Sequence, residues 1–244
     1  MHEQPLHRPG PVEEAPVAAT PELIVQCYSR VEFYQPLYGI TGLDEPLRGC
    51  RDRALSIEAA LAPLGPAFRL VDFGSSLGYF PFFFADRGAI ATGVDINPEN
   101  TAMALSCQRL NGLPATFRTA PLDLDTVCAI APGEYDAALI LSVLHHLNLK
   151  RGTAYVQQLL AELLARIPNL VLELAHRDEK VTFAWRNALP ENPLEVLSTC
   201  RGIQIQELAH SQSHLSDSTR PLYLITAPSS NLIIRVPPTR PVRF

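Results

Sequence analysis

Two hydrophobic periods alternate along this chain. Leu47, Cys50, Ala54, Ile57, Leu61 and Leu64 recur at helical spacing, and Gly65-Pro66 closes that segment just before the short apolar run Arg69-Leu-Val-Asp-Phe73. The pattern predicts a helix feeding a strand. Ala91 to Ile96 predicts a second strand, followed by Asn97-Pro98-Glu99, which supplies an N-cap, a proline at the first helical position and an acid that complements the helix dipole. That helix is expected to end at Asn111-Gly112. Ala115 to Thr119 and Tyr135 to Ser142 read as the third and fourth strands. Val156, Leu159, Leu160, Leu163, Leu164 and Ile167 line one face of a helix, and Asn169 to Leu174 reads as the fifth strand. Phe82, Phe83 and Phe84 are expected in the core.

Strands alternating with helices imply a mostly parallel sheet with right-handed crossovers. The expected class is therefore α/β, a doubly wound, Rossmann-like sheet with helices on both faces. Gly202 to Glu207 and Pro221 to Thr226 differ, because the polar stretch between them leaves no room for a crossover helix. They predict an antiparallel pair at one edge, with the last strand antiparallel. One domain is expected over residues 22–228, with a flexible proline-rich arm at 1–21 and a basic, proline-containing tail at 229–244.

Composition narrows the partners. The 244 residues carry a formal net charge of −5, so no global positive field draws the protein to nucleic acid or anionic lipid. Its 5 cysteines are scattered without a C-x-x-C pair, which together with the acidic, proline-rich start points to a reduced, cytoplasmic protein without a signal peptide. No segment approaches the roughly 20 apolar residues of a membrane span.

In a parallel sheet of this kind, ligands bind at the carboxyl ends of the strands, so the loop after the first strand is the place to look. It reads Asp72-Phe-Gly74-Ser-Ser76-Leu-Gly78. Gly74 and Gly78 permit a tight turn and close backbone approach to a ligand. Asp72, two residues before the first glycine, would repel a pyrophosphate but suits an ammonium group. Asp95, at the tip of the second strand, can accept hydrogen bonds from ribose hydroxyls.

An acid, a glycine loop and a second acid in this order resemble the class I S-adenosylmethionine-dependent methyltransferases. The likeness covers about Leu70 to Leu174. It departs at Ser76, which stands where that family usually has its middle glycine. It implies S-adenosylmethionine as cofactor, with Val94-Asp95-Ile96 at the ribose, Asp123 at the adenine amino group, and Leu141-Ser142-Val-Leu-His145-His146-Leu147 as the fourth-strand motif. A narrower likeness, to the methyltransferase half of the bacterial O-antigen chain-terminating kinase/methyltransferases, is carried by Tyr34-Gln-Pro-Leu-Tyr38, Cys50-x-Asp52-Arg53, Ser142-Val-Leu-His-His146, Glu173-Leu-Ala-x-Arg177, Trp185 and Leu189-Pro190-Glu-Asn-Pro193. It implies that Tyr34, Gln35 and Arg53 lie against the cofactor, that the acceptor is a saccharide or related small molecule, and that a kinase or glycan-synthesis partner is supplied separately.

His145 and His146 are expected at the end of a strand, where successive side chains diverge, so they do not suggest a two-histidine metal site. Either is a candidate general base for a hydroxyl acceptor, and a structural role is the alternative. A phosphate acceptor already presents an anionic oxygen and calls for arginines instead; Arg30, Arg53 and Arg177 are available. Arg177 is also expected to face the acceptor, unless it forms an ordinary ion pair with Glu173. Two other functions stay open on the residues: an NAD-dependent oxidoreductase on the same sheet architecture, and a non-catalytic binding protein that keeps a methyltransferase fold.

Overall fold

The computed structural model describes residues 22, 35–40, 48–213 and 217–230. The expected arm at 1–21, Arg30, Tyr34 and all but the first two residues of the expected tail lie outside them.

Within these residues the chain runs α1 (Arg51–Leu61), β1 (Arg69–Phe73), α2 (Tyr79–Ala85), β2 (Ile90–Asp95), α3 (Pro98–Asn111), β3 (Thr116–Thr119), α4 (Leu124–Cys128) and β4 (Ala137–Leu141). It continues through α5 (Leu144–Arg151), α6 (Thr153–Arg166), β5 (Asn169–Glu173), α7 (Trp185–Ala188), β6 (Gln204–Gln212) and β7 (Thr219–Thr226). The strands form one sheet in the order β3-β2-β1-β4-β5-β7-β6. The first five are parallel, while β7 pairs antiparallel with both β5 and β6. Strand order reverses between β1 and β4, which makes that crevice the topological switch point.

Sequence pattern explains the layering. β4 and β5 are buried along their whole length, so both faces must be apolar. Leu70, Leu139, Val171 and Leu224 point into a core formed with α1, α2 and α3. Val71, Ile140, Leu172 and Ile225 point the other way, against Val156, Leu159, Leu160 and Leu163 of α6. A single buried leucine of this kind is worth about 1.5–3 kcal/mol of transfer free energy. Phe82, Phe83 and Phe84 lie in the first core, as expected.

Several boundaries differ from the sequence reading. β4 begins two residues later than Tyr135, because the Asp136 carboxylate is taken by the backbone N–H and guanidinium of Arg69. It ends before Ser142, whose φ of 59° breaks the extended chain. The first helix starts at Arg51 rather than Leu47. β6 extends through Ala-His-Ser-Gln, a polar run that an outer strand with one open side tolerates, and it carries a bulge between Glu207 and Ala209. α3 matches its prediction at both ends: Asn97 Oδ1 accepts from Glu99 N–H at 3.0 Å, and Gly112 closes the helix in the left-handed region.

Candidate active site

The loop between β1 and α2 is built on three left-handed residues, Gly74 (φ 78°), Ser76 (φ 50°) and Gly78 (φ 85°). Gly74 and Ser75 both donate to the Val94 carbonyl, at 2.7 and 3.1 Å, tying the loop to β2. A Cβ on Gly74 would lie 2.4 Å from Val143 Cγ2, and one on Gly78 would lie 2.7 Å from the Phe117 ring. Glycine is required at both positions. Ser76 holds the same backbone region with a side chain, a conformation that costs an L-residue about 1–2 kcal/mol.

Asp95 secures that conformation. Its Oδ2 accepts from Ser76 N–H at 2.8 Å, and its Oδ1 accepts from Asn97 N–H at 2.8 Å and Asn100 Nδ2 at 3.3 Å. A carboxylate offers about four acceptor sites, so roughly one is left for a ligand hydroxyl. Asp123 is likewise engaged, as the N-cap of α4, accepting from Thr126 N–H at 2.9 Å.

A cavity of about 610 Å³ opens at the carboxyl ends of β1, β2 and β4. One arm, at the tips of β1, β2 and β3, is lined by Gly74, Ser76, Asp95, Ile96 and Asp123, and Ile96 is 66 % exposed. The other arm is lined by Ser142, His145, His146, Lys150, Trp185 and Arg220.

Four expected cofactor residues, Gln35, Arg53, Asp72 and Gly78, do not line this cavity. Asp72 is only 2 % exposed, and its Oδ2 has no hydrogen-bond partner. Burial, reinforced by the nearby Asp95 charge and opposed by Arg53, raises its pKa to about 8. Near neutral pH it is therefore chiefly a neutral acid. Gln35 and Arg53 are also buried, and Arg53 donates to Glu173 Oε2 at 3.3 Å and lies over the Phe80 ring. Gly78 likewise serves packing, against Phe117 and Phe82.

Glu173 is the hub of a buried network that the sequence did not reveal. Arg48 grips it with two guanidinium nitrogens, at 2.6 and 3.0 Å, and Ser142 and Ser211 each donate a short hydrogen bond to it. Burial pushes its pKa up, but Arg53 and Arg48 prevail and hold it below the usual carboxylate value. Arg177, expected beside it or facing the acceptor, is instead exposed in the loop after β5 and lines no part of the cavity. The arginines that do line it are Arg151, at the end of α5, and Arg220, from β7.

The two histidines also differ from expectation. They lie in the first turn of α5, not at a strand end, and their rings approach to 4.1 Å between centroids. His145 is buried and packs on Trp185 at 4.7 Å, whereas His146 is open to the cavity. Partial desolvation, with the charges of Lys150 and Arg220, lowers the His146 pKa and favours a neutral imidazole.

Residues 71–166 match a family model described as Methyltransferase domain. That match and the fold around it make this part of the chain a class I methyltransferase domain, a class that draws its methyl group from S-adenosylmethionine. This sets aside the oxidoreductase reading.

More particularly, the chain is similar to the O-antigen chain terminator bifunctional methyltransferase/kinase WbdD of Escherichia coli, with 29 % identity over 201 residues. The alignment covers 80 % of this chain and 28 % of that relative, so the chain corresponds to a minor part of its length. A solved structure of the bifunctional kinase-methyltransferase WbdD superposes with a TM-score of 0.77 at 29 % identity, covering 83 % of this chain and 46 % of that one. Magnesium protoporphyrin IX methyltransferase from Synechocystis PCC 6803, crystallised with SAH, gives a TM-score of 0.58 over 83 % of this chain and 94 % of its own. At 17 % identity, that likeness speaks for the fold alone.

Proposed function

We propose that this domain transfers a methyl group from S-adenosylmethionine to an oxygen of a small acceptor, a phosphate or a hydroxyl of a saccharide. The observation that carries this reading is one cavity with two chemically distinct arms. A glycine loop, a strand-tip carboxylate and an open isoleucine line one, while the imidazoles of His145 and His146 and the cations Lys150 and Arg220 line the other, and Arg151 also borders the cavity.

The first arm fits the cofactor. Asp95 retains acceptor capacity for a ribose hydroxyl, Ile96 offers an apolar face to an adenine, and Asp123 stands at the end of that arm. The Gly74 backbone lies where no Cβ could stand. Asp72 and Arg53 are buried behind the loop and support it from beneath. When bound, the cofactor supplies an electrophilic methyl on a sulfonium sulfur. The remaining work of the protein is positioning, which is worth up to roughly 7–11 kcal/mol of barrier. A hydroxyl acceptor must also lose a proton, and His146, neutral and open to the cavity, is the group placed to take it. His145 supports it by packing between His146 and Trp185.

The resemblance to a bifunctional enzyme suggests that a kinase or another glycan-synthesis protein produces or consumes the acceptor. The described cysteines Cys50, Cys107, Cys128 and Cys200 are free thiols, which suits a reducing compartment such as the cytoplasm. Calorimetry with S-adenosylhomocysteine tests the cofactor arm. Transfer of labelled methyl into fractionated cell extract, followed by identification of the labelled molecule, tests the acceptor. Label confined to protein or nucleic acid would refute the small-molecule reading.

A further inference from the structure

Residues 174–184, between β5 and α7, form no helix or strand, yet they lead into part of the cavity wall. Phe183 and Trp185 both line the cavity, with ring centroids 6.3 Å apart and planes 9° from parallel. Phe183 is exposed, whereas Trp185 is buried and packs on His145. The ladder pairing of β5 gives out at Leu174, whose N–H donates to the Pro221 carbonyl at 3.2 Å. Beyond it, Ala175, Val181, Trp185 and Leu189 form a small cluster of their own, apart from the two main cores. So few buried apolar contacts do not by themselves fix where a segment sits.

A buried ion pair ties this segment to the sheet. Glu179 and Arg220 are each 1 % exposed, and Arg220 Nε and Nη2 donate to the two oxygens of Glu179 at 2.8 and 2.9 Å. The N–H of His176 donates to the same Glu179 Oε1 at 3.0 Å. Arg220 is in turn fixed on the sheet, where its Nη1 donates to Ser142 Oγ at 3.1 Å and its Cζ lies 5.5 Å from the centroid of the Trp185 ring. The carbonyl of Glu179 accepts from Val181 N–H at 2.8 Å, and Arg186 Nη1, from α7, reaches it and the Val181 carbonyl at 3.5 Å each. Glu179 thus grips the sheet with its side chain and the Trp185 segment with its main chain.

We infer that Glu179 is a positioning residue for methyl transfer: through Arg220 it sets Phe183 and Trp185 in the wall against which the acceptor lies. The inference rests on the methyltransferase reading and adds to it a residue that does not itself line the cavity. A misplacement of about 1 Å can cost about 10²-fold in rate even when it starts far from the chemistry, so the pair bears on transfer without taking part in it. Glutamine at this position keeps the length but offers one acceptor oxygen where Arg220 and His176 use two. Aspartate keeps the charge but is one methylene too short to reach both. The cofactor arm, built on the tips of β1, β2 and β3, does not depend on either change.

Trp185 is the one tryptophan of the chain, so its fluorescence reports on this wall alone. The test compares the full-length parent with Glu179→Gln and with Asp178→Asn, which removes the same charge from the exposed neighbouring position. Glu179→Gln is expected to raise acrylamide quenching of Trp185 about twofold or more and to lower the transfer of labelled methyl into cell extract about tenfold or more. Its affinity for S-adenosylhomocysteine, by calorimetry, should stay within about threefold of the parent. Asp178→Asn should match the parent in all three. Unchanged quenching or unchanged transfer in Glu179→Gln overturns the inference, and so does a loss of cofactor affinity in step with transfer, which is the mark of a general structural defect. If Glu179→Gln fails to fold, Glu179→Asp decides on the same readouts, with transfer expected to fall about threefold or more. No transfer by the parent would instead remove the proposed function, and this inference with it, whereas a loss confined to the Glu179 variants leaves that function standing.

Discussion

The backbone N–H of Ser76 donates to Asp95 Oδ2 at 2.8 Å, so the glycine loop and the tip of β2 form one rigid unit. Asp95 is thus both an expected ligand for the cofactor and the brace of the loop beneath it. Asp95→Ala is expected to weaken S-adenosylhomocysteine binding by at least tenfold, about 1.4 kcal/mol, measured by calorimetry.

Ser76→Gly relieves a left-handed serine but loosens the unfolded chain, two effects of about 1 kcal/mol and opposite sign. Stability within about 1 kcal/mol of the parent, with cofactor binding retained, is expected from urea denaturation and calorimetry. Gly78→Ala has no such compensation, because its Cβ would meet the Phe117 ring at 2.7 Å. A loss of roughly 1–3 kcal/mol is expected.

Asp72 makes stability depend on pH. Its folded pKa of about 8 lies above the unfolded value of roughly 3.9, so the folded state holds the proton more tightly. Its contribution is fully present below the unfolded pKa and is lost as pH rises through the folded one, between about 4 and 8. Asp72→Asn keeps the shape without the titration. Denaturant curves at pH 4, 7 and 9 should show the stability of the variant relative to the parent rising from pH 4 to pH 9. Parallel curves would refute this account.

Glu173→Gln leaves Arg48 and Arg53 buried without their carboxylate, a change that typically costs about 3–5 kcal/mol. Arg177→Ala, on the exposed loop four residues further on, should change stability by no more than about 0.5 kcal/mol. Chemical denaturation of the pair separates the hub from its neighbour in sequence.

His146→Ala distinguishes acceptor types once an acceptor is in hand. With a hydroxyl acceptor, kcat should fall by about 10²–10⁴. With an anionic one, it should change by less than about threefold, because no proton has to leave. His145→Ala should lower stability through lost packing on Trp185.

Periodicity and capping made the parallel sheet and α3 readable, because those elements obey local rules: Asn97, Pro98 and Gly112 bound α3 in the structure as they do in the sequence. The Gly74 and Gly78 turns were legible for the same reason, since only their backbone conformation has to be inferred. What local pattern could not reveal is which buried charges meet. Glu173 is four residues from Arg177 in sequence, but its partners Arg48 and Arg53 come from 125 and 120 residues away. The position of His146 was misread because a strand end and the first turn of a helix look alike in six residues. Arg220 gave no comparable signal, because it lies between Thr219 and Pro221, one residue before the strand the pattern predicted.

Because β7 threads between β5 and β6, the cavity-lining Arg220 comes from a strand that is inserted between two others. The cavity is therefore complete only once β7 has docked between its two neighbours.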